Sequence, residues 1–130
     1  MRLGYAIVYV PDVPAALDFY ARAFGLEVAF THESGQYGEL ATGTTALAFT
    51  SHELGAQEVP VPYTPLDPVA PPAGFELTLV SDDVDGSFDR AVAAGARPLA
   101  DPHDVPWGQR VAYVRDPFGT LVGIASPMSS

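Results

Sequence analysis

Few side chains in this sequence can bind a metal or attack a carbonyl, and most of those stand where they cannot cooperate. The histidines, His32, His52 and His103, are scattered along the chain. None has a second histidine at the i,i+4 or strand-alternate spacing that turns two imidazoles toward one ion. The chain has no cysteine, which removes thiol nucleophiles, thiolate metal sites and disulfides together. Ser34, Ser51, Ser81 and Ser87 lack a GxSxG elbow or a nearby His and Asp, so no hydrolytic triad is written here. Gly35, Gly38 and Gly43 are hairpin glycines without the following helix and lysine of a phosphate loop. What remains is aromatic and acidic. Tyr5, Ile7 and Tyr9 alternate along one β run, Leu47 and Phe49 along a second, Glu76 and Thr78 along a third, and Gly123 lies on a fourth. Taken as one parity, they predict a broad surface with one carboxylate, suited to stacking on a flat organic molecule. Gly123, lacking a side chain, would leave room for it. Core packing is the competing role for Tyr5, Ile7, Leu47 and Phe49. Glu76 as a base with Tyr5 or Tyr9 as an acid is the enzymatic alternative.

The elements that must position these residues are written twice. Tyr5–Val10 runs through Pro11 and Asp12 into a helical stripe of Val13, Ala16, Leu17, Tyr20 and Phe24, which Gly25 ends. Phe75–Val80 runs through Asp83 into Val84, Phe88, Ala91 and Val92, which Gly95 ends. Asp12 and Asp83 are the expected helix caps. Each helix leads to a short strand, Val28–His32 or Ala96–Leu99, and then to a hairpin. The first hairpin is 37–41 with 45–49, and the second is 110–115 with 121–124. In the second, Asp116-Pro117-Phe118-Gly119 makes the turn. Between the halves, 52–74 holds too many prolines for a central strand and reads as a stiff crossover with at most one helical turn near Glu53. The expectation is an α+β fold of two tandem β-α-β-β-β modules, 1–51 and 75–130, joined by the 52–74 crossover. Their mixed sheets are expected to curve around a cleft with the helices outside.

Composition limits the partners. The chain has 130 residues and carries six Arg and no Lys against sixteen acidic residues, a formal charge of −10. Nucleic acid and anionic membranes need basic groups at their phosphates, so neither is expected as a partner. A cationic small molecule is compatible with this charge. No apolar run approaches the length of a membrane span, and the Met1 end reads as a strand without an apolar leader, so a cytoplasmic protein is expected. Modules of this size are marginal alone, and a homodimer is expected to cover what one chain leaves exposed.

The segment VYVPDVPAALDFYARAFGLEV, with the later DVD, AAGA, PWGQR and RDPFGTLV, resembles the vicinal oxygen chelate superfamily, the glyoxalase, bleomycin resistance protein and extradiol dioxygenase fold. The resemblance implies the doubled module. It also implies a metal in the family's enzymes, held by residues near the start of each half and on the last strand of each half. Counted along this chain, those places fall at Tyr5, Leu47, Glu76 and Gly123. Leu47 and Gly123 offer no side-chain donor, so neither metal nor other cofactor is expected. The metal-free antibiotic-binding members are similar in the WGQR segment, Trp107-Gly108-Gln109-Arg110, where an aromatic residue can stack on a planar drug. Tyr113 and Arg115 share parity with Tyr37 and Glu39 of the matched hairpin, and an ion pair between Arg115 and Glu39 would be a sufficient structural role for both. The resemblance and the residues together imply metal-independent binding or sequestration of a planar small molecule, with which a positive charge is compatible. A glyoxalase-like lyase, dioxygenase or other enzyme of the same fold is the alternative, and an interaction module is the third.

Overall fold

In the computed structural model, which describes residues 1–128, the chain divides into two compact units, Met1–Leu66 and Asp67–Ser130. The first contains β1 (Tyr5–Val10), α1 (Val13–Phe24), β2 (Val28–Thr31), β3 (Tyr37–Leu40), β4 (Ala46–Ser51) and α2 (His52–Glu58). The second contains β5 (Leu77–Val80), α3 (Val84–Ala93), β6 (Arg97–Asp104), β7 (Arg110–Arg115) and β8 (Leu121–Ala125).

Asp12 caps α1 by accepting from the Ala15 amide at 3.0 Å, and Asp83 caps α3 by accepting from Gly86 at 3.0 Å. Each satisfies one of the amides that a helix start leaves without an intrahelical partner. Gly25 closes α1 at φ 69°, a backbone region costly for residues with a Cβ. Helix α2 replaces the single turn expected near Glu53, and Ser51 caps it by accepting from Leu54 at 3.0 Å.

Each unit builds its own four-stranded mixed sheet, in the order β1-β4-β3-β2 and β5-β8-β7-β6. In each, the strand before the long helix runs parallel to the last strand, β1 with β4 and β5 with β8, and the other pairs are antiparallel. The modules are present, but curved sheets enclosing a cleft are not what the strands form. Both sheets are open, with β1 and β2 as the edges of one and β5 and β6 as the edges of the other. Four strands are too few to close on themselves, since even small barrels use about eight.

The cores lie between each sheet and its long helix. In the first unit, Val13, Ala16, Leu17, Phe19, Tyr20 and Ala23 of α1 are buried, and the Tyr20 ring lies 5.0 Å from that of Phe49. Gly38 on β3 lets this helix come close, because a Cβ there would stand 2.5 Å from Cδ1 of Leu17. In the second unit, Val84, Phe88 and Ala91 of α3 are buried, as are Ala112, Val114, Val122 and Ile124 of the sheet. Fully burying one large aliphatic side chain contributes about 1.5–3 kcal/mol, so these faces dominate the stability of each unit.

Strand β6 is longer than the expected Ala96–Leu99 and continues through Pro102 to Asp104. Among the described residues it pairs with β7 alone, and its register shifts between Pro98 and Ala100 and again between Ala100 and His103. An edge strand can spare the amide that each proline lacks, which is why the prolines did not stop it.

Candidate functional site

The register of the first sheet sorts the candidate residues by face. Ala6 and Val8 pair with Leu47 and Phe49, on the side that α1 covers. Tyr5, Ile7 and Tyr9 pair with Ala46, Ala48 and Thr50, so they lie on the other side. Leu47 and Phe49 therefore do not join the tyrosines on one surface. Both are buried, Phe49 completely, and they are core under α1. The expected metal place at Leu47 was likewise one residue off. Gly123 pairs with Thr78, as Ala48 pairs with Ile7, so Ala48 is the matching position.

The open face of the first sheet continues onto β3 and β2. Glu39 pairs with Ala48 on one side and Phe30 on the other, and Tyr37 pairs with Thr50. The Tyr37 hydroxyl donates to Oε2 of Glu39 at 2.8 Å. Burial, then the hydrogen bond and charge of Glu39, and then the neighbouring Tyr5 push the Tyr37 phenol up to about 12. Tyr37 therefore remains a hydrogen-bond donor at any ordinary pH. The Phe30 ring lies 6.3 Å from that of Tyr37. Tyr5 is 57% exposed, Ile7 44% and Phe30 47%, whereas Ala48 and Thr50 beneath them are buried.

One end of this face is already occupied by its own chain. Tyr9 packs against Tyr63 with ring centroids 4.8 Å apart, and Tyr63 meets Nδ1 of His52 at 2.7 Å. Gly55 of α2 makes room for the pair, since a Cβ there would stand 2.8 Å from both the Tyr63 hydroxyl and Tyr9. Desolvation, followed by the nearby Tyr9, raises the Tyr63 pKa. His52 thus has a structural partner that the sequence did not disclose. His32 meets Ser34 at 2.8 Å, and His103 meets the Asp101 carbonyl at 2.8 Å.

On the second sheet, Thr78, Gly123 and Tyr113 form one cross-strand row, with Glu76 just ahead of β5. The Thr78 hydroxyl donates to Oε2 of Glu76 at 2.6 Å, and the Glu76 carboxylate fills the space over Gly123, where a Cβ would approach to 2.5 Å. The room expected at Gly123 is therefore taken by Glu76. Arg110 lies on the opposite parity from Tyr113, and its guanidinium bonds Asp85 at 2.9 Å and Asp104 at 3.1 Å. Those two hydrogen bonds, Asp85 first, hold its pKa above the ordinary value. Trp107 is 61% exposed in the loop before β7 and donates its indole N–H to Gln109 at 2.7 Å.

Arg115 is buried. It donates to the carbonyls of Gly119, Ala70 and Asp67, which ties the start of the second unit to the end of β7.

The residues at the four family metal places do not fit a metal. The first sheet offers Tyr5 and Ala48 there, and the second offers Glu76 and Gly123. Alanine and glycine supply no ligand atom, and a divalent transition ion needs three or four donors. Among the described residues no group of three or more His, Asp or Glu could hold one. Nor, among them, is any helix long and apolar enough to cross a membrane.

Residues 2–124 match the profile described as the Glyoxalase/Bleomycin resistance protein/Dioxygenase superfamily. The chain belongs to that superfamily. An uncharacterized protein of Mycobacterium tuberculosis is 32% identical over 92% of this chain and 71% of its own length. The anthracycline biosynthesis protein DnrV of Streptomyces peucetius is 29% identical over 88% of this chain and 42% of its own length. Among solved structures, a glyoxalase-related enzyme of Fulvimarina pelagi superposes with a TM-score of 0.83 at 23% identity, covering 98% of this chain and 88% of its own. TioX of Micromonospora sp. ML1 does so with a TM-score of 0.69 at 25% identity, covering 97% and 98%.

Tyr37, Glu39 and Phe30 were absent from the sequence-derived surface. The signal was present, since Tyr37-x-Glu39 alternates on one strand as Tyr5-x-Ile7 does.

Proposed function

We propose that this member of the superfamily binds a planar small molecule, cationic or neutral, without a metal and holds it rather than transforming it. The observation that carries this reading is the open face of the first sheet. Large apolar side chains, Tyr5, Ile7 and Phe30, stand exposed beside a half-buried carboxylate, on a sheet whose family metal places hold no suitable donors. Exposed apolar surface next to fixed polar groups is the usual make-up of a small-molecule site. The second unit offers Glu76, Thr78 and Tyr113 on its own open face, with the exposed Trp107 in its loop. The name of DnrV adds weight, because anthracyclines are flat polycyclic molecules. A homodimer is part of the same reading.

The test is calorimetric titration with a panel of flat polycyclic drugs, followed by recovery of any bound compound. Saturable binding with the compound returned unchanged supports the reading, and Trp107→Ala should weaken it if the second unit takes part. A compound returned altered over many turnovers would replace the reading with the enzymatic one.

A further inference from the structure

Resting on the ligand-binding reading above, we propose that Glu39, steadied by Tyr37, selects charge on the first sheet's open face, and that the ligand taken there is an aromatic ring system bearing a protonated nitrogen. Glu39 lacks a cationic partner among the described residues. It accepts the Tyr37 hydroxyl on Oε2. Its neighbours on the face are Phe30 on β2 and Ala48 on β4, with Ile7 one strand further on. A carboxylate in such a frame loses water contacts and needs compensating donors. Tyr37 supplies one and, with its phenol pushed up to about 12, does not become a second anion at ordinary pH.

The complement that remains open is positive. A protonated nitrogen would meet Glu39, while the attached rings lie over Tyr5 and Phe30, whose π faces also attract cations. A peptide or protein partner is less well matched, since one end of the face is closed by Tyr9 and Tyr63. A second copy of this chain is matched worse still. It brings sixteen acidic residues against six Arg and no Lys, and Arg22, Arg110 and Arg115 are already engaged at home.

The probes are two tricycles of one outline at pH 8: 9-aminoacridine, a cation there, and acridine, which is neutral. Fluorescence titration of the wild-type chain should saturate with both and favour the cation. In Glu39→Gln the cation should bind about tenfold more weakly, as loss of a charged hydrogen-bond partner implies, with acridine within about twofold of its wild-type affinity. Tyr37→Phe keeps the ring and removes the hydroxyl, so the cation preference should fall by a smaller factor, about threefold. Circular dichroism and thermal unfolding establish that the variants are folded. If Glu39→Gln does not fold, the Tyr37→Phe preference decides alone. Equal effects on both probes, or an unchanged preference in the variants, overturn this inference and leave the ligand-binding reading standing. If neither tricycle saturates the wild-type chain, the inference fails, and if the drug panel also shows no binding the broader reading fails with it.

Discussion

Tyr37 and Glu39 give the first sheet a titration that can be watched directly. The folded Tyr37 pKa is raised from 10.0 to about 12, so its stabilising contribution is fully present below the unfolded value and is lost as pH rises from about 10 to about 12. The unfolded phenol ionises in that window and the folded one resists. Ultraviolet difference spectra should therefore show Tyr37 among the tyrosines that ionise late, and Tyr37→Phe should shrink that late phase and flatten the loss of stability over the same window. A late phase undiminished in Tyr37→Phe would assign it elsewhere, to Tyr63 first. Gly123 allows a different check. The nearest atoms a Cβ there would meet are the tips of Glu76 and Thr78, the first an exposed side chain that can swing away. Gly123→Ala should cost less than about 1 kcal/mol in thermal unfolding, while breaking the Thr78–Glu76 hydrogen bond.

At the scale of elements, Gly38 offers the contrast. There an added Cβ meets Cδ1 of Leu17 in the buried α1 stripe at 2.5 Å and the Phe30 carbonyl at 3.3 Å, so the Leu17 side chain must shift within a packed core. Gly38→Ala should destabilise by about 1–3 kcal/mol in urea titration, the range for overpacking a core. An unchanged midpoint would mean that α1 rides less tightly on β3 than the distances imply. Arg115 governs another element. Arg115→Met keeps bulk but removes the donors to Asp67, Ala70 and Gly119, and should cost about 2–4 kcal/mol. Limited proteolysis should then cut near 67–70, and equal resistance in wild type and variant would show that other contacts hold the segment. These same elements show what a sequence discloses. The Asp12 and Asp83 caps, the Gly25 stop and the hairpin at Gly119 were legible because each is set by residues within a few positions of one another. The faces of Leu47 and Phe49 were not. The expected turn was short, but β3 ends at Leu40 and β4 begins only at Ala46, and a slip of one residue exchanges the faces of a strand. The partners of Arg115 were illegible for another reason: they are backbone carbonyls, which any residue supplies.

For the whole molecule, charge and exposed apolar surface pull against each other. Two chains of formal charge −10 repel, whereas Phe75, Val80 and Leu99 of the second unit stand 45%, 67% and 44% exposed and would gain by being covered. The proposed homodimer therefore depends on ionic strength in a definite direction. At 0.15 M salt the screening length is about 8 Å and most of the repulsion between copies is quenched, but at 0.01 M it reaches about 30 Å and the full charges are felt. Apolar contact changes little over that range, and sulfate strengthens it further. Light scattering at micromolar concentration should thus give twice the 13.7 kDa chain mass in moderate salt and in sulfate, with dissociation as salt is removed. Replacing Val80 by Asp adds a charge on the second sheet and removes apolar area, and should shift the transition to higher salt. A monomer at every salt concentration would reject the dimer. A dimer that instead tightened as salt was removed would place ion pairs, not apolar cover, at its centre.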